Sequence, residues 1–145
     1  MSRAAVYDAI TSDATLNGMG FHGDPDRSVL VAYDGDQRPN DNMFMVLRWE
    51  TRDIDLRGDD STVTKGPRHL VIWVHMYKGF STDFNRIDKV IDQLDNVLTA
   101  IIDTPGADGR TVCVIEPEGQ SRDLRDTTYD TFCRSTAYRV IDRVT

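Results

Sequence analysis

The chain has 145 residues, the usual size of one domain, and a core of that size can fold without disulfides or metals. It carries 17 basic residues against 24 acidic ones, a net charge of −7, and no basic run, which disfavours direct nucleic-acid binding. A mean hydropathy of −0.44 without an apolar run of about 18 residues argues against a membrane span or signal peptide, and two cysteines without CxxC spacing favour reduced thiols in the cytoplasm.

The first part of the chain predicts one helix and two strands. An apolar stripe over residues 3–16 predicts a short amphipathic helix. The runs at 28–33 (SVLVAY) and 43–51 (MFMVLRWET) are typical of strands, and residues 34–42 between them have the composition of a loop. We expect the two strands to form a hairpin or to lie as neighbours in one sheet.

Residues 52–66 carry charges of both signs and almost no apolar side chain. Such a segment buries too little apolar surface to offset the cost of ordering, which is about 1–2 kcal/mol per residue. We therefore expect a mobile loop that becomes ordered when it docks onto a complementary rim. The candidate contact residues in this loop are Asp53, Arg57, Asp59, Asp60 and Lys65.

Residues 67–78 predict a strand whose two faces are both apolar or aromatic. One face takes the even-numbered residues from Leu70 to Met76, and the other takes His69, Val71, Trp73, His75 and Tyr77. A strand of this kind is typical of the centre of a sheet. We expect helices to cover one face and another layer, such as a second subunit, to cover the other.

The last part of the chain predicts the longest helix and two closing strands. Apolar residues recur every three or four positions over residues 83–102, which predicts the helix. Strands are predicted at 111–116 and 131–143, on either side of a charged connector. Residues 1–145 therefore predict an α+β fold, a single domain in which one long and one short helix pack on a mostly antiparallel sheet.

No residue pattern predicts a catalytic, cofactor or metal site. His69 and His75 lie six residues apart, which in a strand separates them by about 20 Å, too far to share one ion. Cys113 and Cys133 lie in apolar runs, where a thiol usually serves as a small hydrophobic side chain. We expect no enzyme activity and no bound cofactor.

The aromatic residues leave two interpretations open. Trp49, Trp73 and Tyr77 belong either to the core or to a protein–protein interface, in which His69 and His75 would take part. Aromatic side chains are enriched in interfaces, and one sheet with two helices can cover only one of its own faces. A second copy of the chain or another protein would cover the remaining face.

Four segments, taken in chain order, carry a family resemblance. They are the N-terminal helix ending near SDATLNG, the strand RHLVIWVHMYK, the helix DFNRIDKVIDQLDNVLTAI that follows a Gly-Phe-Ser-Thr hinge, and the closing run TVCVIEPEGQSRDLRDTTYDTFCRSTAYRVIDR. In this order they resemble the tail terminator proteins (tail completion or minor tail proteins) of long-tailed bacteriophages, over nearly the whole chain. The long charged loop before the second segment departs from the family's pattern.

The resemblance implies a structural role in the virion. Proteins of that family form a sixfold ring that caps the completed tail tube, stops its polymerisation and joins it to the head-side connector. The implied partners are further copies of the chain, the tail tube protein and the connector or stopper protein. DNA would pass through the lumen without specific binding, which the acidic composition permits. The implied location is the head-proximal end of the tail, after assembly in the host cytoplasm.

Two other classes of protein stay open. Another virion part, such as a tail tube or head–tail joining subunit, would form filaments or twelvefold rings in place of closed sixfold ones. A small enzyme or ligand-binding domain would need a convergent pocket, which the sequence does not display.

Overall fold

A computed structural model describes residues 3–23, 26–31, 38–55 and 64–144, with 51–55 and 64–66 described as backbone. The helices are α1 (Arg3–Ser12), α2 (Ala14–Gly18) and α3 (Asn85–Thr99). The strands are β1 (Val29–Leu30), β2 (Met43–Asp55), β3 (Thr64–Tyr77), β4 (Thr104–Pro105), β5 (Arg110–Gln120), β6 (Leu124–Asp126) and β7 (Thr131–Val144). No helix in these parts of the chain has the length and apolarity needed to cross a membrane.

The strands form one mixed sheet in the order β1-β2-β3-β7-β5-β4, with β6 pairing with β7 outside this path. Every pair is antiparallel except β1 with β2. The predicted α+β class with a mostly antiparallel sheet is confirmed. The strand that was predicted to be central, β3, lies between β2 and β7 and pairs with both along most of its length.

The helix predicted over residues 3–16 is in fact two helices, which is a correction. Asp13 has an extended backbone (φ −72°, ψ 121°), and its carboxylate accepts a hydrogen bond from the Leu16 N–H at 2.9 Å. An aspartate in this position caps a new helix, so α1 ends and α2 begins. The apolar stripe continues across the break because Leu16 is buried like Ile10 in α1.

The strand predicted over 28–33 is shorter than expected and is not part of a hairpin. β1 has two residues, and it pairs in parallel with β2 through Val29 opposite Met45 and Leu30 opposite Val46. The chain therefore turns back before β2 begins, so that both strands run in the same direction. The expectation that the two strands are neighbours is confirmed, and residues 34–37 of the predicted loop between them lie outside the described residues.

The loop predicted over residues 52–66 is shorter at both ends. β2 continues to Asp55 and β3 begins at Thr64, with irregular register after Trp49. The backbone hydrogen bonds of an antiparallel pair do not require apolar side chains, so pairing extends into the charged residues. The residues between these two strand ends, 56–63, lie outside the described parts of the chain, and mobility there stays a prediction.

The core lies between the helices and one face of the sheet. The apolar stripe of α3 is buried there, and its members are Ile87, Val90, Ile91, Leu94 and Leu98. They meet the even-numbered residues of β3, together with residues of β2, β5, β7 and the N-terminal helices. The helix predicted over 83–102 begins two residues later, because the Asp83 carboxylate accepts the Asn85 N–H at 3.0 Å ahead of the first turn.

Tyr138 of β7 connects the sheet to α3 by a buried polar contact. Its side chain is fully buried, and its hydroxyl donates a hydrogen bond to Asp95 Oδ1 in α3. Burial raises the pKa of Tyr138, and the hydrogen bond to the Asp95 carboxylate raises it further. The raised pKa keeps the hydroxyl protonated at neutral pH, so that it serves as the donor to Asp95.

Tyr138→Phe should lower the free energy of unfolding by about 1–3 kcal/mol, because it removes a hydrogen bond to a charged acceptor. Urea denaturation of both proteins measures the difference. Tyr77→Phe is a matched control, since it removes the same atom from a half-buried ring on the opposite sheet face. Equal losses in the two variants would show that the Asp95 contact contributes nothing of its own.

Candidate interaction surface

The helices of the described parts of the chain all cover the same face of the sheet. On β3, Leu70, Ile72, Val74 and Met76 are fully buried beneath them. The alternate side chains of β3 lie on the opposite face, where Trp73 is half-buried and His75 is buried. This opposite face carries four of the predicted contact residues: His69, Trp73, His75 and Tyr77.

An aromatic cluster fills one end of this opposite face. The His75 ring stacks on Phe44, with centroids 4.7 Å apart and an interplanar angle of 4°. Tyr129 meets both rings edge-on at 5.7 Å. His75 Nδ1 lies 2.8 Å from the Thr131 hydroxyl, so the imidazole has a polar partner inside the cluster. These contacts make His75 a packed residue of a small second core.

His75 in this cluster and Cys133 beside it are neutral at neutral pH. Burial lowers the pKa of His75 to about 4, and the Asp126 carboxylate opposes part of that shift. Burial also raises the pKa of Cys133, its cross-strand neighbour, to about 11, and Asp126 raises it further. A neutral imidazole of low basicity beside a protonated thiol does not form a nucleophile–base pair.

Arg38 covers the same end of the face from the loop before β2. Its guanidinium lies 3.6 Å from the centroid of the Tyr77 ring. It also donates to the Tyr129 carbonyl at 3.3 Å and pairs with Asp41 at 2.7 Å. Because His75 and Tyr77 are thus covered by the chain's own residues, the more exposed part of the face lies further along, around His69 and Trp73.

The far part of the face carries exposed ion pairs. His69 Nδ1 lies 2.7 Å from Glu118 Oε1, and Arg139 lies 3.6 Å from Glu116. His69 and His75 both lie on β3, but each contacts a different residue: His69 contacts Glu118, and His75 contacts Thr131. Within the described ranges, no group of three or more His, Cys, Asp or Glu side chains is placed to hold a metal ion.

Trp49 lies at the edge of the sheet and on the helix-bearing side. Its cross-strand partner is Leu70, and it packs against the main core while remaining half-buried. The guanidinium of Arg68 lies 5.0 Å from its ring centroid, and that of Arg3 lies 6.0 Å away. Arginine beside a tryptophan face is a cation–π arrangement, which is common in protein interfaces. The two tryptophans thus occupy different faces of the sheet.

A surface cavity of about 690 Å³ lies beside the edge strand β2. It is lined by side chains from both faces of that strand: Val46 and Arg48 from one, Leu47 and Trp49 from the other. Arg3 of α1 and the exposed Val31 also contribute. The rest of the lining lies on the sheet face opposite the helices: Trp73, His75, Cys133 and Asp126. The cavity therefore runs from the edge of β2 onto this face, and it carries aromatic rings beside charges of both signs.

The predicted charged contact residues are only partly described. Asp53 lies in β2 and Lys65 lies in β3, so both belong to the paired strands. Arg57, Asp59 and Asp60 lie outside the described residues. Their role in docking stays a prediction.

Three residues of this surface were not singled out by the sequence. Phe44 could have been, since Met43, Met45 and Leu47 alternate with Phe44 and Val46 in a run that is apolar on both faces, as in β3. Tyr129 and Arg38 carry no such signal, because both lie in polar connecting segments. Only the folded chain brings them to the aromatic cluster.

The fold resembles that of a known virion component. No protein-family profile matches the chain, and no curated protein sequence matches it. Among solved structures, a chain from the "Virion of native gene transfer agent (GTA) particle" superposes with a TM-score of 0.66 at 16% sequence identity. The match covers 93% of this chain and 89% of that chain. At this identity the match shows a shared fold over almost the whole of both chains.

Proposed function

We propose that the chain is a structural, non-enzymatic virion protein that forms a ring capping the tail tube. The observation that carries the proposal is the shared fold with a chain of the gene transfer agent virion over 93% of this chain. The elements of this fold include the N-terminal helix, the central strand, the long helix and the closing strands, whose order resembles that of the tail terminators. Virion localisation follows from this proposal.

The uncovered sheet face supports self-association. Helices bury one face of the sheet, whereas the described residues close the other face at one end only, through the Phe44 cluster and Arg38. Half-buried Trp73 lies beside that closed end. The ion pairs His69–Glu118 and Arg139–Glu116 lie further along the same face. An apolar patch with a charged rim is typical of a surface that binds another protein.

The acidic composition suits a DNA conduit. A ring of several copies, each with a charge of −7, would repel the phosphate backbone and let DNA slide through without specific binding. Under this proposal the remaining partners are the tail tube protein on one side and the head-side connector on the other. The charged residues between β2 and β3 would dock onto the tube rim.

Electron microscopy and mass photometry of the purified chain test the proposal. We expect closed rings of one size, and we expect added rings to stop the elongation of tubes made from the tail tube protein of the same virion. Filaments would favour a tube subunit and twelvefold rings a connector subunit. A chain that stays monomeric alone and in the presence of tubes would contradict the ring.

A further inference from the structure

We propose that the open edge of β2 in one copy binds the open edge of β5 in the next copy, head to tail. This inference rests on the ring proposed above and names the two surfaces that would form its contacts. The cavity beside β2 is one surface, and the exposed segment Glu116–Pro117–Glu118 of β5 is the other.

Among the described residues, each edge of the sheet is paired with an outer strand at one end only. In the described part of the chain, β1 pairs with β2 at Met45 and Val46, and β4 pairs with β5 at Thr111 and Val112. Each outer strand has two residues, so the remainder of β2 and of β5 has no described strand beside it. Open strand edges are common sites of association between chains.

The two open edges lie at the same level of the sheet. Trp49 of β2 pairs with Leu70, Leu70 pairs with Tyr138, and Tyr138 pairs with Pro117 of β5. One line across the sheet thus begins at one open edge and ends at the other. A heterologous contact between opposite edges at one level repeats from copy to copy, and it forms a closed ring when the rotation between neighbouring copies is a whole fraction of a turn.

The side chains on the two edges match face by face. Trp49 and Pro117 lie on the helix-bearing side, because their partners Leu70 and Tyr138 are buried beneath the helices. Arg48 lies on the opposite side, as does Glu118, which contacts His69 there. In a neighbour placed edge to edge, the proline ring would meet the tryptophan, and the glutamate would meet the arginine.

Pro117 indicates a side-chain contact rather than a continued ladder of backbone hydrogen bonds. It has no N–H to donate, and it lies in a run of five exposed residues that ends β5. Proline rings bind well in aromatic-lined grooves. The cavity of about 690 Å³ has Trp49 in its lining and offers such a groove, with Arg48 on its rim for Glu118.

The charged groups are available to change partners. Arg48 pairs with Glu50 at 3.3 Å within its own strand, with 67% of its side chain exposed. Glu118 pairs with His69 and is 35% exposed. Exposed ion pairs contribute little to stability, so exchanging them for a contact with a second copy costs little.

Complementary charge reversal tests the contact. Arg48→Glu and Glu118→Arg should each weaken self-association at least tenfold in mass photometry, because each places like charges against one another. An equimolar mixture of the two variants should assemble again if the variants alternate. One contact then joins the two reversed charges, and the next contact joins the unchanged Arg48 and Glu118. Arg86→Glu, an exposed charge change on α3, is the matched control and should assemble like the wild type.

The outcomes separate this contact from the ring itself. Thermal melting of each variant should match the wild type, which shows that the fold is intact. Normal assembly of both single variants, or a mixture that stays dissociated, would overturn this contact and leave the ring proposal standing. A wild-type chain that stays monomeric at every concentration would overturn both.

Discussion

Leu94→Ala should lower the free energy of unfolding by about 2–5 kcal/mol. Leu94 lies in the middle of the α3 stripe and is fully buried in the main core between α3 and the sheet. The substitution removes the apolar contacts of three carbon atoms and leaves a cavity that tightly packed neighbours cannot fill. Urea denaturation of the purified variant measures the loss.

Val97→Ala in the same helix is the control for this measurement. Val97 is half-buried beside the core, so its truncation should cost clearly less than the truncation of Leu94. Both changes keep the helix propensity high, because alanine favours helices. If Leu94→Ala left the melting temperature unchanged, the α3 stripe would not be the core-forming surface described above.

Acid should destabilise the fold by roughly 3 kcal/mol through His75 alone. The ring is 2% exposed, and burial lowers its pKa from 6.5 in the unfolded chain to about 4 in the folded one. Between these two values the unfolded chain binds a proton that the folded chain does not. The contribution of His75 is therefore fully present above pH 6.5, is lost as the pH falls towards 4, and stays constant below that.

The pH dependence of unfolding in two variants isolates this effect. His75→Phe keeps an aromatic ring against Phe44 and should flatten the dependence between pH 7 and pH 4, even though the contact with Thr131 is lost. His69→Gln removes the exposed, glutamate-paired histidine of the same strand and should keep most of the wild-type slope. A wild-type slope in His75→Phe would show that His75 does not titrate on unfolding.

The sequence by itself determined the elements with strong periodicity. The α3 stripe and the two-faced pattern of β3 each continue over nine or more residues, so one helix and one central strand account for them. The same pattern predicted that helices cover one face of β3 without saying which, and in the structure it is the even-numbered face. Local patterns of this kind are sufficient to identify an element. Burial of one side selects every second side chain in a strand and every third or fourth side chain in a helix.

Only the tertiary structure decided where the remaining elements and contacts lie. The parallel pairing of β1, the split after α1 and the extension of β2 to Asp55 depend on single hydrogen bonds or on partner strands, which leave no periodic trace. The same is true of Tyr129 and Arg38, which reach the His75 cluster from connecting segments. The sequence also does not show that Trp49 and Pro117 lie on one line across the sheet, because that line depends on the pairing of four strands. Contacts between distant segments are set by strand register and not by local sequence.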